Sequence, residues 1–359
     1  MTQIDRRTFL GAGALALTAG VLSPVLAGCA GADSPGTGAP AGPALSGAAL
    51  EEAAKAEGIV RAYITDQRLA DEITAGFSKK YPWAKVETVV GSQTTLRNRA
   101  ITESVSGAAT ADVLNLSNQR SALLKNNIVR AVPLEADKNY PSSLLDSQNY
   151  AHPLYQYVVL FAYNKNLVPS APASMEDLAD PSWRGKIAFD KPQNASTATT
   201  FLVGKRKQWG DEKWTQWLEA LKANQILLTP NAATALAHVQ SGERPLGLSS
   251  SIDVLSVAPG SPVQPGYYDG LIPVVQYAWL TTKGKNPNCG QLLAEWLMGP
   301  EGQQAIAASG RSPVLDIDTP VSLKKVLPAD AKIMPATELD EYYTDPTPYL
   351  DKLNQLWPA

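Results

Sequence analysis

From residue 58 onward, short apolar runs alternate with longer stretches whose apolar positions recur every three or four residues. Residues 58–64 (GIVRAYI) read as a strand and 69–81 as a helix stopped by Pro82. Residues 85–90 form the next strand, 96–105 the next helix, and 111–116 a third strand. Residues 157–163 (YVVLFAY) are a continuous apolar strand, with two more strands at 186–189 and 246–248. The helix over 211–224 carries Trp214, Trp217, Leu218 and Leu221 on one face, so its tryptophans read as core. Residues 291–298 predict an apolar helix, Gly299-Pro300 breaks it, and 301–308 begin another with Pro300 suited to the first turn. The last forty residues, rich in proline and charge, are expected to wrap one lobe. Strand and helix in alternation imply βαβ units and a mostly parallel sheet.

The start of the chain follows a different pattern. Arg6-Arg7 precede an uncharged stretch from Thr8 to Gly28, closed by Leu26-Ala27-Gly28-Cys29. A charged start, an apolar middle and small residues before a cleavage point make residues 1–28 a secretory signal. Its glycines and Pro24 argue against an uncleaved spanning helix. Leu26 to Cys29 resembles the bacterial lipobox, which implies that Cys29 is lipidated and anchors the mature chain to membrane lipid. Residues 5–10 (DRRTFL) resemble a twin-arginine export signal, although two arginines also suit the general route. The expected location is the outer face of the cytoplasmic membrane. Residues 29–47 then read as the lipidated cysteine and a disordered tether of small residues, its coil spanning about 23 Å.

From Cys29 the chain has 331 residues, enough for two lobes. Losing Asp5, Arg6 and Arg7 leaves 29 basic against 33 acidic residues, which favours no nucleic-acid partner. Lipidation of Cys29 would leave Cys289 unpaired, so no disulfide framework exists and Cys289 reads as a small core residue. Only His152 and His238 occur, and neither HExxH nor GxSxG appears. No catalytic residue and no resident cofactor or metal are therefore expected.

Ligands of open α/β sheets bind beyond the carboxyl ends of strands. Five predicted strand ends carry hydroxyls, amides and carboxylates: Thr65-Asp66, Ser92-Gln93-Thr94, Asn118, Asn194 with Ser196-Thr197, and Ser250-Ser251 with Asp253. Each alone reads equally as a helix cap. Recurrence at five ends is what points to a binding site, since a helix N-terminus also attracts anions. Tyr155, Tyr157, Tyr267, Tyr268, Tyr277 and Trp279 are candidate walls, or packing.

The stretch from 174 to 187 (SMEDLADPSWRGKI) is close to a pattern, W-x-D-L-x-D-P-x-W-K-G-K-I, found in the solute-binding proteins of ABC importers for iron, thiamine, phosphonates and polyamines. Supporting pieces are 56–60 (AEGIV), 111–113 (ADV), 161–164 (FAYN), 239–243 (VQSGE), 285–287 (KNP) and 301–303 (EGQ). The chain resembles that family over roughly residues 53–317. The resemblance implies a two-lobed α/β fold of the type II periplasmic-binding-protein kind, with two parallel-rich sheets flanked by helices and joined by crossover hinge strands. It places lobe 1 at 48–154 plus 272–312 and lobe 2 at 155–271 plus 313–359. It implies a monomeric receptor, not an enzyme, that hands a small solute or ion to ABC permease and ATPase subunits, or presents it to a membrane sensor. Read from the strand ends and the aromatic walls, the candidate ligand residues are Thr65, Asp66, Ser92, Gln93, Thr94, Asn118, Tyr155, Asn194, Ser196, Thr197, Ser250, Ser251, Asp253, Tyr268 and Trp279. Ferric members place two adjacent tyrosines where Ile252 and Asp253 stand, so tyrosinate coordination is not expected here. Three cargoes stay open: an oxyanion, which is slightly preferred, a cationic organic solute such as a polyamine or thiamine, and a ferric ion held with an exogenous anion. Arg97, Arg99 and Arg311 favour the anion if they face the cleft.

Overall fold

The computed structural model describes residues 45–172, 174–193 and 196–358, so the expected signal, Cys29 and most of the tether lie outside it. Leu45 is already tied down, its carbonyl accepting a hydrogen bond from Gln291 Nε2 at 2.7 Å. The first wing runs α1 (Gly47–Glu57), β1 (Ile59–Ile64), α2 (Gln67–Lys80), β2 (Lys85–Val90), α3 (Gln93–Val105), β3 (Val113–Ser117) and α4 (Arg120–Lys125). β1 pairs in parallel with both neighbours, Ile59 opposite Lys85 and Ala62 opposite Val113. The strand alternates as a doubly covered strand must: Val60, Ala62 and Ile64 enter one core while Tyr63 enters the cluster on the other face.

β4 (Ala151–Asn164) then crosses the molecule. The second wing follows as β5 (Ile187–Asp190), α5 (Thr197–Trp209), α6 (Asp211–Ala223), β6 (Leu227–Thr229), α7 (Ala232–Ser241), β7 (Leu246–Ser250), α8 (Ser251–Leu255) and β8 (Val263–Gly266). β9 (Ile272–Leu280) crosses back to α9 (Pro287–Met298), α10 (Pro300–Ala308) and the short β10 (Ser312–Pro313). α11 (Leu323–Val326), α12 (Asp340–Thr344) and α13 (Thr347–Leu356) end the described chain. The strand order is β2-β1-β3-β9-β4-β7-β5-β6, with β8 and β10 also on β4. Both wings are parallel inside, and the antiparallel crossover strands β4 and β9 join them. The central pairing shifts register between Pro153 and Tyr155, as expected where a proline cannot donate to the ladder.

Two main cores result. One gathers Leu50 to Tyr155 with Ala278 to Ile306; the other gathers Val158 to Val274 with Leu323 to Trp357. Trp214 and Trp217 lie in the second core, their indoles donating to Leu202 O and Met175 O at 2.8 and 3.0 Å. Cys289 is buried in the first, its thiol 2.9 Å from Ala54 O, and burial pushes its pKa up to about 12. At the α9–α10 break, Gly302 lies so close to the preceding turn that a Cβ would stand 2.2 Å from Trp296 O. Among the described residues, no helix is long and apolar enough to cross a membrane.

Candidate functional site

The carboxyl ends of β1, β2, β5 and β7 each run into a capped helix. Asp66 Oδ1 accepts from Leu69 N at 3.0 Å, Ser92 Oγ from Thr95 N at 3.1 Å, Ser196 Oγ from Thr199 N at 3.1 Å and Ser250 Oγ from Asp253 N at 3.1 Å. These four residues therefore act as caps. Their remaining hydrogen-bonding capacity is largely used as well: Ser196 donates to Thr199 Oγ1 at 3.1 Å and Ser250 to Asp253 Oδ2 at 2.8 Å. Gln93 Oε1 accepts from Ser117 N at 2.8 Å, Asn118 Oδ1 from Arg120 N at 3.2 Å, and Ser251 Oγ from Val158 N at 3.2 Å. Thr94 and Thr197 stand half-buried in the first turns of α3 and α5. Asn194 lies outside the described residues.

An anion at these helix ends would meet carboxylates the chain already supplies. Asp190, at the end of β5, accepts from Ala198 N at 2.8 Å and from the amide of Thr197, so it occupies the N-terminus of α5. Burial raises its pKa to about 6 against those amide bonds. Asp253 sits likewise at the start of α8; burial raises its pKa, Ser250 and Arg311 lower it, and Asp66 is near enough to raise it. Asp66 pairs with Arg311 Nη2 at 3.0 Å. That guanidinium also donates from Nη1 to Ser309 O at 3.0 Å and lies 5.7 Å from the Tyr155 ring centre.

The floor is polar. Thr65 Oγ1 donates to Asn115 Oδ1 at 2.9 Å, and the Tyr155 hydroxyl stands 3.3 Å from Thr65 Oγ1. Asn115 Nδ2, Gln276 Oε1, Ser249 Oγ and Arg311 Nε are buried without a hydrogen-bond partner. Each such group costs roughly 1–3 kcal/mol if nothing polar meets it. Gln276 bonds the phenol of Tyr157, whose pKa burial raises further beside Tyr155, Asp253 and Asp190. Tyr157 and Tyr277 are only half-buried by exposure, yet burial raises both their pKa values. Tyr277 lines a cavity, and Tyr157 packs against both main cores.

One expected wall residue is corrected: Tyr268 is buried in the second core, its hydroxyl donating to Val159 O at 2.8 Å. Trp279 is buried under the first wing, its indole donating to Leu116 O at 3.2 Å, and it lines a cavity together with Tyr277. Of the arginines, Arg99 pairs with Glu103 at 2.8 Å and stacks on Tyr63. Arg97 is held by Gln119 Oε1 at 3.1 Å, and burial lowers its pKa. Asn115, Gln276 and Asp190 were not among the expected site residues. Asp190 had a signal, its place one residue beyond a predicted strand.

A cavity of about 440 Å³ is lined by Asn118, Arg120, Asp146, Tyr277 and Asp340. A larger one, about 590 Å³, lies at Lys205, Gln208 and Trp209 and contains none of the expected residues. Among the described residues, no group of three or more His, Cys, Asp or Glu could hold a metal ion.

Comparison with known proteins places this architecture. Over 185 residues the chain is 22% identical to the thiamine-binding periplasmic protein of Escherichia coli, half of this chain and 54% of that one. Over 103 residues it is 28% identical to a Salmonella typhi periplasmic protein provisionally assigned to 2-aminoethylphosphonate, 28% of this chain and 31% of that one. The chain thus spans about half or less of the length of these curated relatives. In fold it is similar to iron-bound HitA from Pseudomonas aeruginosa, with TM-score 0.70 and 19% identity over 83% of this chain and 99% of that one. It is similar also to AfuA from Actinobacillus pleuropneumoniae with exogenous fructose-6-phosphate bound, with TM-score 0.73 and 17% identity over 83% and 98%. These neighbours are type II periplasmic binding proteins, and the same fold class describes this chain. The profile for bacterial extracellular solute-binding proteins matches residues 110–338, and the chain belongs to that family, whose members are binding proteins and not enzymes.

Proposed function

We propose that this chain is the extracytoplasmic receptor of an ABC importer, held at the membrane by lipid on Cys29. In this reading residues 48–154 with 272–312 and residues 155–271 with 313–359 are the two lobes, and the polar floor at Thr65, Asn115 and Tyr155 lies in the cleft between them. The solute touches both lobes only when they close, so it favours the closed form that permease and ATPase subunits recognise. The cargo class we favour is an organic solute carrying an ammonium or other cationic group. The observation that carries it is the presence of Asp66, Asp190 and Asp253 at three of the four capped strand ends. Helix N-termini that already hold carboxylates have little left for an oxyanion, whereas carboxylates beside phenol rings suit a cation. An oxyanion, expected from the hydroxyls alone, is supported only by Arg311 Nε and by Arg97.

The test is native mass spectrometry of freshly purified protein, followed by thermal shifts with spermidine, thiamine, 2-aminoethylphosphonate and ferric citrate. A ligand at a hundredfold its Kd stabilises the native state by about 2.7 kcal/mol. Spermidine or thiamine should raise the melting temperature, with the rise reduced in Asp253→Asn. Stabilisation by ferric citrate alone, or by 2-aminoethylphosphonate to the same degree in Asp253→Asn as in the wild type, would refute the cationic reading.

A further inference from the structure

We infer that the cavity of about 590 Å³ beside the end of α5 is a second binding site, which takes a small organic carboxylate through the ammonium of Lys205. This site is independent of the cargo proposed above, since the cavity contains none of the strand-end residues. Its lining comes from the second wing: residues within 174–176, within 205–209 at the end of α5, within 269–270 ahead of β9, and within the C-terminal segment 332–338.

Among the described residues Lys205 is the one lysine that is buried, at 1 % exposure. Its Nζ donates to Gln208 Oε1 at 2.6 Å and to Asp269 O at 3.3 Å, and stands 4.6 Å from the Tyr268 ring centre and 5.6 Å from that of Trp209. Each of these partners is neutral. The carboxylates near enough to act on it, Glu176 and Asp269, are paired with other lysines: Glu176 with Lys213 at 2.6 Å and Asp269 with Lys332 at 3.5 Å. Burial outweighs both and pushes the Lys205 pKa down to about 8. A buried ammonium with no carboxylate beside it is half of an ion pair, and the half that is missing is an anion.

The cavity gives that anion a way in. Gln208, whose amide oxygen covers the ammonium, is an exposed side chain, held otherwise by Gly270 O at 2.9 Å and Met334 Sδ at 3.5 Å. A ligand carboxylate that takes the place of Gln208 Oε1 exchanges a neutral acceptor for a charged one, and the bond strengthens roughly twofold. Of the other lining residues, Met175 and Met334 are buried and Trp209 is half-buried, so the body of the ligand should be apolar. The remaining charged lining is Lys207 and Lys332 with Glu176, Asp269 and Glu338, and Lys207 is already paired with Glu341. Only the charge of Lys205 is left to be met. The three carboxylates repel a second negative charge, so a monocarboxylate fits where a phosphate ester does not. The volume falls within the roughly 300–1,000 Å³ of small-molecule sites.

The experiment titrates benzoate and hexanoate, with phenyl phosphate and benzylamine as controls, into wild type, Lys205→Met and Lys332→Ala. Ligand-observed NMR gives the affinities. Both carboxylates should bind the wild type, at least about tenfold more weakly in Lys205→Met and within about threefold of wild type in Lys332→Ala, whose ion pair is exposed. Benzylamine should not bind. A second measurement needs no variant: calorimetry with benzoate at pH 8 in Tris and in HEPES. A bound carboxylate raises the Lys205 pKa from about 8, so the complex takes up protons and the heat should differ between the two buffers. No binding of either carboxylate at millimolar concentration, or equal affinity in a Lys205→Met protein that melts like the wild type, overturns the site. A heat independent of buffer shows that Lys205 is not the group the anion meets, and tighter binding of phenyl phosphate than of benzoate overturns the monocarboxylate assignment.

Discussion

Asp190 shows how one capping side chain can carry a pH dependence of its own. Its carboxylate closes the start of α5 through Ala198 N, yet burial lifts its pKa to about 6. A folded-state value above the unfolded value of about 3.9 means that the native chain binds this proton more tightly. Its stabilising effect is complete below about pH 4 and is lost as pH rises through about 6. Asparagine keeps an acceptor for Ala198 N without the charge. The melting temperature of Asp190→Asn relative to wild type should therefore climb between pH 4.5 and 7.5. A flat difference over that range would mean that Asp190 titrates normally. At this scale the sequence was half legible. The caps Asp66, Ser92, Ser196 and Ser250 sit where strand ends were read, because capping is local chemistry. Which tyrosine stays half-exposed is not local: Tyr157 and Tyr268 look alike in sequence, but one bonds Gln276 in the floor and the other bonds Val159 in the core.

Among the elements, β2 runs over the residues predicted, and β1, β3 and α10 differ from prediction by one or two residues. Their signals are dense apolar alternation and proline breaks. β4 is longer than the apolar run that announces it, since Ala151 to Gln156 are strand through pairing with β9 and β10. β9 itself, IPVVQYAWL, carries Pro273 and Gln276, which interrupt an apolar run; its strand character comes from partners on both sides. The α9–α10 break was legible as Gly299-Pro300, but the glycine that fits the corner is Gly302. A methyl group there meets the Trp296 carbonyl and Leu297 Cα, which are backbone and cannot swing aside. Gly302→Ala should cost about 1–3 kcal/mol of stability. Denaturant unfolding checks this, and a variant as stable as the wild type would show that the two helices separate freely.

For the whole molecule, alternation of strand and helix gave the α/β class, but it could not reveal that β4 and β9 join two parallel wings through an antiparallel centre. That centre bears on how the molecule can close. Asp66, at the end of β1, pairs with Arg311, and Asp253, at the start of α8, is close enough to feel both. In the proposed cationic reading, a solute set among them gains contacts on each wing, so its differential affinity favours the closed form. The radius of gyration from small-angle scattering should then fall as spermidine or thiamine, whichever stabilises the protein, is added. Asp253→Asn removes a contact on one wing only. It should reach the same compact end state at higher probe concentration, because the closed form exists without that contact but is favoured less. An unchanged midpoint would mean that the solute binds one wing alone, and closure would then need a cause other than bridging by the solute.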